Sequence, residues 1–317
     1  MRAVLISRFG GAEVLELVEV PDPVPGPREV RIAVHAAAVN PVDVGNRADG
    51  TWAALRLPAI IGSDFSGVVD SVGADVSEWS PGDEVFGAAP FREGRHGSYA
   101  EFHVADAETI ARKPANLSHV DAAAVPLAGG TAHSVINRRL RVEPGERVLI
   151  HGAGGGVGLF AVQLVAAAGA TAIALASRRH HELLRHLGAT AAFDYRESDA
   201  VATAQQHAGG EFDAVADLVG GTCLASSLES IREGGRAATI VELTGDLDLA
   251  LDRNITLHGV LLDRADRSLF DELRAAIETG EVRPVVSAVF PLEQVAEAHT
   301  LLEAGHVQGK IVLAIRA

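Results

Sequence analysis

The stretch from Arg147 to Gly158, R-V-L-I-H-G-A-G-G-G-V-G, constrains the fold of this chain more than any other. Residues 148–151 predict a β-strand, and apolar residues from Val157 to Ala168 recur at helical spacing. A strand, a glycine-rich turn and a helix in this order are typical of a dinucleotide pyrophosphate site, because the anion can approach the first N–H groups of the helix. A plain strand-to-helix turn explains the same pattern, so other features have to decide. The cofactor contacts predicted in the turn are Gly154, Gly155, Gly156, Val157 and Gly158.

Composition limits the class of protein. The 317 residues and a hydrophobic share of 48% suffice for two domains with separate cores. The chain has 27 Lys and Arg against 42 Asp and Glu, a formal charge of −15, which disfavours nucleic acid and anionic membranes as partners. The single cysteine, Cys223, cannot form an internal disulfide and is expected to be a small packed residue.

Neither a membrane span nor an export signal is predicted. Residues 159–176 carry no formal charge, but Gly169 interrupts them and alanine dominates, so a helix followed by a strand is expected. Met1 leads directly into strand-like sequence without a signal peptide. We therefore expect a cytoplasmic protein.

The chain has two regions that differ in sequence pattern. From Arg2 to about Pro114, short apolar segments alternate with turn formers, which predicts a small β-barrel or sandwich. From about Asp121, strand-like and helix-like segments alternate, which predicts a doubly wound parallel sheet. A helix at about 268–279 precedes strand-like pieces that are expected to rejoin the first domain. The predicted strands are 3–6, 15–20, 30–34, 66–72, 84–87, 101–104, 148–151, 172–176, 191–193, 213–218, 236–241, 255–260, 285–289 and 310–315.

Six stretches together resemble the zinc-independent branch of the medium-chain dehydrogenase/reductase family, which contains NADPH quinone oxidoreductases and zeta-crystallin-like proteins. They span nearly the whole chain in the order of that family. They are N-P-V-D at 40–43, G-S-D-F-S-G at 62–67, A-A-A-V-P-L-A-G-G-T-A at 122–132, H-G-A-G-G-G-V-G at 151–158, F-D-A-V-A-D-L-V-G-G at 212–221 and G-K-I-V-L at 309–313.

The resemblance implies an α/β protein with two domains. Residues 1–120 and 282–317 are expected to form a GroES-like β-barrel catalytic domain, and residues 121–281 a Rossmann domain with a doubly wound parallel sheet. The family places the active site in the cleft between such domains. It also implies a homodimer through the last strand of the second sheet, here near 255–262, although this apolar run is equally compatible with an interior strand.

The end of the second strand of the parallel sheet predicts the cofactor. An acidic residue there binds the ribose 2′-hydroxyl of NAD, whereas a cation accommodates the 2′-phosphate of NADP. Here the strand ends in Ser177-Arg178-Arg179 without an acid, and a hydroxyl and a guanidinium can both donate to a phosphate. NADP(H) is therefore expected, although the arginines could also be solvated residues at a helix start.

Further cofactor contacts follow from the resemblance. Tyr195 stands where the family often has a tyrosine near the 2′-phosphate, and a surface aromatic is the alternative. Thr131 lies in the G-G-T-A stretch that the family places near the nicotinamide, or it caps the following helix. Val219 and Leu243 are the remaining cofactor contacts that the resemblance implies.

No metal is predicted. By resemblance, Asn40, Ser63 and Leu127 stand where zinc-dependent relatives have their Cys, His and Cys ligands. An amide, a hydroxyl and an alkyl group do not make a tetrahedral zinc site. Without a Lewis acid, hydride transfer to an electron-poor acceptor is easier than oxidation of an unactivated alcohol, so a quinone or an α,β-unsaturated carbonyl is expected as substrate.

The residues around N-P-V-D are the candidates for the acceptor site. Asn40 is predicted to donate a hydrogen bond to the acceptor oxygen, or it only shapes a turn. Asp43 is expected to orient its neighbours or to bind a ribose hydroxyl. Asp64 invites a role as general acid, but G-S-D-F-S-G is also typical of a turn in which an Asp binds backbone amides, and the turn is favoured. Gly45 replaces a tyrosine of many relatives and should leave space, while Trp52 forms an apolar wall or packs under its loop.

These observations favour a zinc-independent oxidoreductase that transfers hydride from NADPH to a quinone, with the proton taken from solvent. An enone or enoyl-thioester reductase shares every motif. A non-catalytic NADPH-binding protein, crystallin-like or redox-sensing, is the alternative from another class. The expected partners are a small electron-poor molecule and a second copy of the chain, and neither nucleic acid nor a membrane.

Overall fold

The computed structural model describes residues 1–90, 92, 96–262, 266–305 and 307–316, and the chain forms two compact units. Unit 1 contains residues 1–130, 263–279 and 284–317, and unit 2 contains residues 131–262 and 280–283. The first boundary therefore lies at 130/131 instead of the expected 120/121. The helix expected at 268–279 in the Rossmann domain belongs to unit 1.

Unit 1 is a β structure of two sheets. Its strands are β1 (Arg2–Ile6), β2 (Glu16–Glu19), β3 (Glu29–Val39), β4 (Ala59–Ile60), β5 (Asp64–Val72), β6 (Glu84–Ala88), β7 (Phe102–Asp106) and β8 (Ile110–Arg112). Two C-terminal strands, which we label β15 (Val286–Pro291) and β16 (Lys310–Ala314), complete it. The smaller sheet has the order β2-β1-β4, and the larger has the order β15-β16-β3-β5-β6-β8, with β7 also paired to β3.

The long strand β3 organises unit 1, because it pairs with β5, β7 and β16. Val30, Ile32 and Val34 alternate along it and are fully buried, as the two-residue period of a strand requires. Its register places Ala38 opposite Asp64 and Val39 opposite Ile311. The end of β3 and the beginnings of β5 and β16 therefore meet at one corner.

Unit 2 is a parallel sheet with helices. Its strands are β9 (Arg147–His151), β10 (Thr171–Leu175), β11 (Ala191–Phe193), β12 (Phe212–Asp217), β13 (Ile231–Thr239) and β14 (Thr256–Gly259). They follow the order β11-β10-β9-β12-β13-β14, and every pairing is parallel. This is the 3-2-1-4-5-6 order of dinucleotide-binding sheets, which confirms the predicted doubly wound sheet. Residues 148–150 and 214–216 are fully buried. Because both faces of these central strands are covered, their sequences are continuous apolar runs.

The α-helices are α1 (Pro41–Asp49), α2 (His119–Ala123), α3 (Pro126–His133), α4 (Gly156–Ala167), α5 (His181–His186), α6 (Ala200–Ala208), α7 (Asp248–Asp252), α8 (Arg267–Glu278) and α9 (Val295–Glu303). Short 3₁₀ turns occur at Ala12–Val14, Gly50–Ala53, Arg178–His180, Ala225–Ser230 and Leu292–Gln294, and Ser134–Leu140 is a π-helix. Among the described residues, no helix combines the length and apolar character needed to cross a bilayer.

Packing explains why α8 belongs to unit 1. Leu269, Phe270, Leu273 and Ile277 form its buried face at helical spacing. The Phe270 ring lies 5.4 Å from the ring of Phe86 in β6. The Ile277 carbonyl accepts a hydrogen bond from Asn116 at 2.9 Å. Alternation of strand and helix along the chain could not reveal this side-chain contact.

Candidate active site

The glycine-rich turn of unit 2 joins β9 to α4, and its shape depends on two glycines. Gly152 has φ +71°, in the left-handed region that favours glycine. A Cβ on Gly158 would lie 2.3 Å from the Gly152 carbonyl oxygen, so a side chain there would separate helix and strand. No side chain caps α4 at Gly155, which leaves the first N–H groups of the helix available to an anion.

His180 supports this turn and was not found by sequence reasoning. A Cβ on Gly154 would lie 2.7 Å from the imidazole Cδ2 of His180, which is only 5% exposed. The ring therefore packs directly against the glycine backbone. The pair His180-His181 in the sequence carries no signal for this contact, since it depends on how β10 lies beside β9.

The five predicted contacts in the turn differ in exposure. Gly155 is exposed, and Gly156 and Val157 are half-buried. Gly154 and Gly158 are buried against the protein. The first three are therefore accessible at the surface, while the other two are packed within the turn, and cofactor contact by all five stays a prediction.

Ser177 and Arg178 follow β10 directly. Ser177 is half-buried, and the Arg178 guanidinium donates to the Glu197 carboxylate at 3.0 Å. The two side chains are 77% and 50% exposed, and a pair so exposed is weak. This ion pair therefore does little to fix the position of the Arg178 guanidinium.

Asp194 is an acidic residue near Arg178 that the sequence reasoning did not consider. Its carboxylate lies 3.4 Å from the backbone nitrogen of Arg178 and accepts two hydrogen bonds from the Arg196 side chain, at 2.9 and 2.6 Å. Hydrogen bonds from Arg196 hold the pKa of Asp194 well below its usual range. Tyr195 is 58% exposed, with the Arg196 guanidinium 5.9 Å from its ring centroid, so both interpretations of this tyrosine stay open.

Asp217 shapes the turn that contains Val219. This carboxylate is fully buried at the end of β12 and accepts hydrogen bonds from the backbone of Val219 at 3.0 Å and of Gly220 at 2.9 Å. Val219 is consequently presented with 54% of its surface exposed. Leu243 is half-buried and pairs through its backbone with Gly221.

Thr131 lies inside α3 and is 8% exposed. A residue at this interior position does not cap the start of a helix, so the capping interpretation is wrong. Its proposed place beside the nicotinamide stays a prediction.

In unit 1, Asn40 belongs to a buried cluster with Asp64 and Lys310. Its amide nitrogen donates to the Asp64 carboxylate at 2.8 Å, and its amide oxygen accepts a short hydrogen bond from the Lys310 ammonium group. Lys310 also forms a salt bridge with Asp64 at 3.1 Å, and Asp64 accepts the backbone N–H of Leu127 at 2.7 Å. Asp64 is thus the first residue of β5, and its side chain forms an ion pair with Lys310. It does not lie in the turn that the motif suggested.

Asn40 has one weakly bound N–H group. Its nitrogen lies 3.4 Å from the Ala38 carbonyl oxygen, beyond the usual range for N–H···O bonds. The side chain is 3% exposed, so the structure shows Asn40 mainly as a connection between strands. Its predicted role toward an acceptor rests on this second N–H.

Asp43 lies beside this cluster and accepts three hydrogen bonds. The donors are the Ser63 hydroxyl at 2.5 Å, the Asn40 backbone at 2.9 Å and the Tyr99 hydroxyl at 3.0 Å. Burial, assisted by repulsion from Asp64, raises the pKa of Asp43 to about 6 against the lowering effect of these hydrogen bonds. These contacts link Asp43 to its neighbours, and its two hypothesised roles, to orient them or to bind a ribose hydroxyl, stay predictions.

Behind Tyr99 lies a second set of buried polar groups. The Tyr99 hydroxyl is 3.4 Å from Nε2 of His299, and burial lowers the pKa of His299 to about 4. Arg47 is 1% exposed and forms a two-point ion pair with Glu303 at 2.6 and 3.1 Å. Burial also raises the pKa of Tyr99 well above its usual value, so its hydroxyl stays protonated and donates to Asp43.

Trp52 and Gly45 bear on the expected substrate space. Trp52 is 46% exposed, and the Arg92 guanidinium lies 5.8 Å from its ring centroid. It is therefore not packed under its loop. A Cβ added to Gly45 would meet no atom within 4 Å, which agrees with the space expected from the missing tyrosine.

The side chains at the three zinc-ligand positions do not suit a divalent metal. Asn40, Ser63 and Leu127 supply an amide oxygen bound to Lys310, a hydroxyl bound to Asp43 and an alkyl side chain. A cationic ammonium group beside them opposes a second cation. Within the described ranges, no group of three or more His, Cys, Asp or Glu side chains is arranged to hold a metal.

A cavity of about 650 Å³ lies in unit 1, and three of its wall residues, Ile60, Pro90 and Gly97, also line a small pocket at Asp43 and Ser63. The walls of the larger cavity also include Leu5, Pro23, Pro58 and Phe102, and they contain none of the predicted site residues. Size alone therefore does not identify the candidate site, and the chemistry of the buried polar groups is the better guide.

Two family models match this chain. Residues 26–115 match the alcohol dehydrogenase GroES-like domain, and residues 187–313 match the zinc-binding dehydrogenase family. Together with the parallel sheet and its glycine-rich turn, they define a nicotinamide-dependent oxidoreductase. The chain belongs to the medium-chain dehydrogenase/reductase family, which confirms the predicted family and fold class.

Relatives of known description agree with this assignment. The mitochondrial NAD(P)H oxidoreductase RTN4IP1 of Bos taurus is 33% identical over 356 residues, which cover 99% of this chain and 89% of that protein. The structure of a quinone oxidoreductase from Coxiella burnetii has a TM-score of 0.91 at 35% identity, over 100% of this chain and 99% of that one. A structure described as an NAD-dependent alcohol dehydrogenase has a TM-score of 0.93 at 35% identity, over 99% and 100% of the two chains.

Proposed function

We propose that this protein is a metal-independent reductase that transfers hydride from NADPH to a quinone. The observation that carries the proposal is the Asn40–Asp64–Lys310 cluster, in which the Lys310 ammonium group already occupies the Asn40 amide oxygen and pairs with the Asp64 carboxylate, so that neither oxygen ligand is free for a metal. A site of this kind can stabilise charge on an acceptor that is already electron-poor. Among the described residues, no set of side chains would hold the Lewis acid that lowers the pKa of an alcohol hydroxyl.

The choice of NADP(H) is supported by the surface after β10. Ser177 and Arg178 lie at the strand end, and Arg178 is held only by an exposed ion pair. Two acids lie nearby: Glu197 is the partner of Arg178 in that exposed pair, and Asp194 is held by two hydrogen bonds from Arg196, which offsets its repulsion of a phosphate. We therefore propose that Ser177 and Arg178 bind the 2′-phosphate, while the N–H groups at the start of α4 bind the pyrophosphate. When bound, NADPH supplies the hydride.

The acceptor site is proposed around Asn40. Its second amide N–H binds the oxygen that becomes negatively charged, as an oxyanion-hole donor does. The open space at Gly45 admits a planar ring, and the exposed face of Trp52 offers an apolar contact. A hydroquinone product can take its proton from solvent, so no dedicated acid is required.

An acceptor panel tests this proposal. Purified protein is given NADPH or NADH together with a simple quinone or an α,β-unsaturated ketone. In a separate assay it is given NADP⁺ and a primary alcohol. The products of each assay are identified. We expect the hydroquinone to form and NADPH to be strongly preferred. Formation of the saturated ketone alone would identify an enone reductase, and NADPH binding without turnover of any acceptor would identify a binding protein.

We also propose that the protein is a homodimer through β14. This strand is the edge of the parallel sheet, so the interpretation of residues 255–262 as an interior strand is wrong. Leu257 is 36% exposed on β14, and Leu261 just beyond it is 58% exposed. An uncovered apolar edge strand can pair with a second copy.

A further inference from the structure

The ammonium group of Lys310 is buried, and each of its three N–H groups has a hydrogen-bond acceptor. The side chain is 5% exposed, and its three N–H groups meet the Asn40 amide oxygen, the Asp64 carboxylate at 3.1 Å and the Val39 carbonyl oxygen at 3.3 Å. Lysine has three donors and no acceptor, so each donor has its own partner. Such a site is specific for a compact cation.

Lys310 supplies the positive charge that this corner of unit 1 needs. Asp64 is fully buried, and Asp43 beside it is 1% exposed. Burial, with repulsion from Asp64 as a further cause, raises the pKa of Asp43, as is expected for neighbouring buried carboxyl groups. A buried carboxylate without a counter-charge is strongly unfavourable, and the Lys310 ammonium offsets it.

Lys310 also decides the orientation of the Asn40 amide. An ammonium group can only donate, so the end of the amide that faces it must be the oxygen. The nitrogen is thereby directed toward Asp64, with which it forms its strong hydrogen bond at 2.8 Å. The remaining N–H, weakly bound to Ala38, is the one available to an acceptor.

We propose that Lys310 is a positioning residue that takes the place of a metal cation: it compensates Asp64 and holds the Asn40 amide with its nitrogen toward the acceptor. The role of Lys310 toward the acceptor rests on the proposed function. Its roles in compensating Asp64 and orienting the Asn40 amide depend only on contacts within unit 1. Orientation by Lys310 explains how Asn40, which stands at one of the three zinc-ligand positions, is held in place without metal coordination.

The test uses the full chain and four variants: Lys310→Met, Asp64→Asn/Lys310→Met, Asn40→Ala and Asn40→Ala/Lys310→Met. Urea unfolding at pH 8 measures stability, and NADPH fluorescence measures cofactor affinity without an acceptor. Steady-state kinetics with a quinone give kcat and KM. The Asp64→Asn/Lys310→Met variant is the matched control, because it removes both buried charges together.

We expect Lys310→Met to lose stability and the charge-matched double variant to regain it. We expect kcat to fall on the order of a hundredfold in Lys310→Met and to stay low in the charge-matched variant, with NADPH affinity unchanged. If Lys310 acts through Asn40, then Asn40→Ala and Asn40→Ala/Lys310→Met have the same kcat. A merely structural ion pair would instead recover kcat together with stability.

Three results would overturn the proposal. They are recovered kcat in the charge-matched variant, losses that multiply in the Asn40→Ala/Lys310→Met variant, and stability that does not change in Lys310→Met. If the wild-type protein binds NADPH but reduces no acceptor, the proposed function fails. The stability comparison then still decides whether Lys310 compensates Asp64.

Discussion

The environment of the Asp43 carboxyl group contains groups that lower its pKa and others that raise it. Hydrogen bonds from Ser63, Asn40 and Tyr99 favour the charged form, while burial and the nearby Asp64 disfavour it. Burial prevails and raises the pKa of Asp43 from 3.8 to about 6. The protein therefore contains a carboxyl group that changes charge near neutral pH, next to the candidate acceptor site.

This shift has a consequence for stability. Because the folded-state pKa of Asp43 is raised, its contribution to stability is fully present below about pH 4 and is lost as pH rises through about 6. Relative to Asp43→Asn, the free energy of unfolding of the wild type should fall by up to about 3 kcal/mol between about pH 4 and about pH 8. Urea unfolding of both proteins across this range measures it.

Asp75→Asn, at an exposed aspartate, is the control and should show no such trend. A difference between wild type and Asp43→Asn that stays constant with pH would contradict the account of Asp43. A difference of opposite sign would mean that the hydrogen bonds prevail over burial.

Arg178 is expected to determine the preference for NADPH. A charge-assisted hydrogen bond to a phosphate is lost in Arg178→Ala, so KM for NADPH should rise about tenfold while KM for NADH stays the same. Initial rates with a quinone and each cofactor measure the change. Arg179→Ala is the matched control, because the Arg179 side chain is turned to His180 at 3.0 Å.

The control distinguishes the two arginines. If Arg179→Ala shows the larger loss, the phosphate site is misassigned by one residue. If neither variant alters the ratio of the two KM values, the surface after β10 does not select the cofactor.

Single residues show where sequence reasoning stops. Asn40 could be singled out from N-P-V-D, and Lys310 lies in the G-K-I-V-L stretch, but nothing in the sequence indicates that their side chains meet. That contact follows from the register of β3 with β16. His180 escaped notice for the same reason, since its contact with Gly154 needs two neighbouring strands.

At the scale of elements, the turn between β9 and α4 separates two kinds of glycine. Gly158 has no room for a side chain, because a Cβ would lie 2.3 Å from a carbonyl oxygen. On Gly155 it would lie 3.5 Å from the same oxygen, which is ordinary contact. Gly155 is also exposed, so a methyl group there would lie at the surface of the turn.

Alanine substitutions should therefore have different effects. Gly158→Ala should lower the free energy of unfolding by about 1–3 kcal/mol through overpacking and weaken NADPH binding with it. Gly155→Ala should leave stability unchanged and weaken NADPH binding alone. Thermal unfolding and NADPH fluorescence titration measure the two effects separately. Equal loss of stability in both variants would contradict the division of the turn.

The elements themselves were largely predictable. Every strand of unit 2 was expected near its observed position, because buried parallel strands are short apolar runs between helical segments. The grouping of α8 with unit 1 was missed, since its apolar face is the same whichever sheet it covers. The turn expected at Asp64 was wrong because its backbone pairs with Ala38, a contact that local turn signals do not report.

At the scale of the whole molecule, β14 is the surface proposed to pair two copies. Leu257→Glu places a charge on the strand and should convert a dimer to a monomer, as measured by light scattering after size exclusion. Leu251→Glu is the control, because Leu251 is 81% exposed on α7 and outside the strand. A mass unchanged by Leu257→Glu, or a wild-type monomer, would contradict the proposed dimer.

The central claim is that hydride transfer to a quinone needs NADPH but no metal, because Lys310 supplies the positive charge beside Asn40. The most direct measurement is NADPH oxidation with a quinone after exhaustive dialysis against a chelator, with metal content determined on the same sample. We predict the full rate in protein that contains no stoichiometric metal, and no increase when Zn²⁺ is added. A rate that is lost on dialysis and restored by Zn²⁺ would contradict the account.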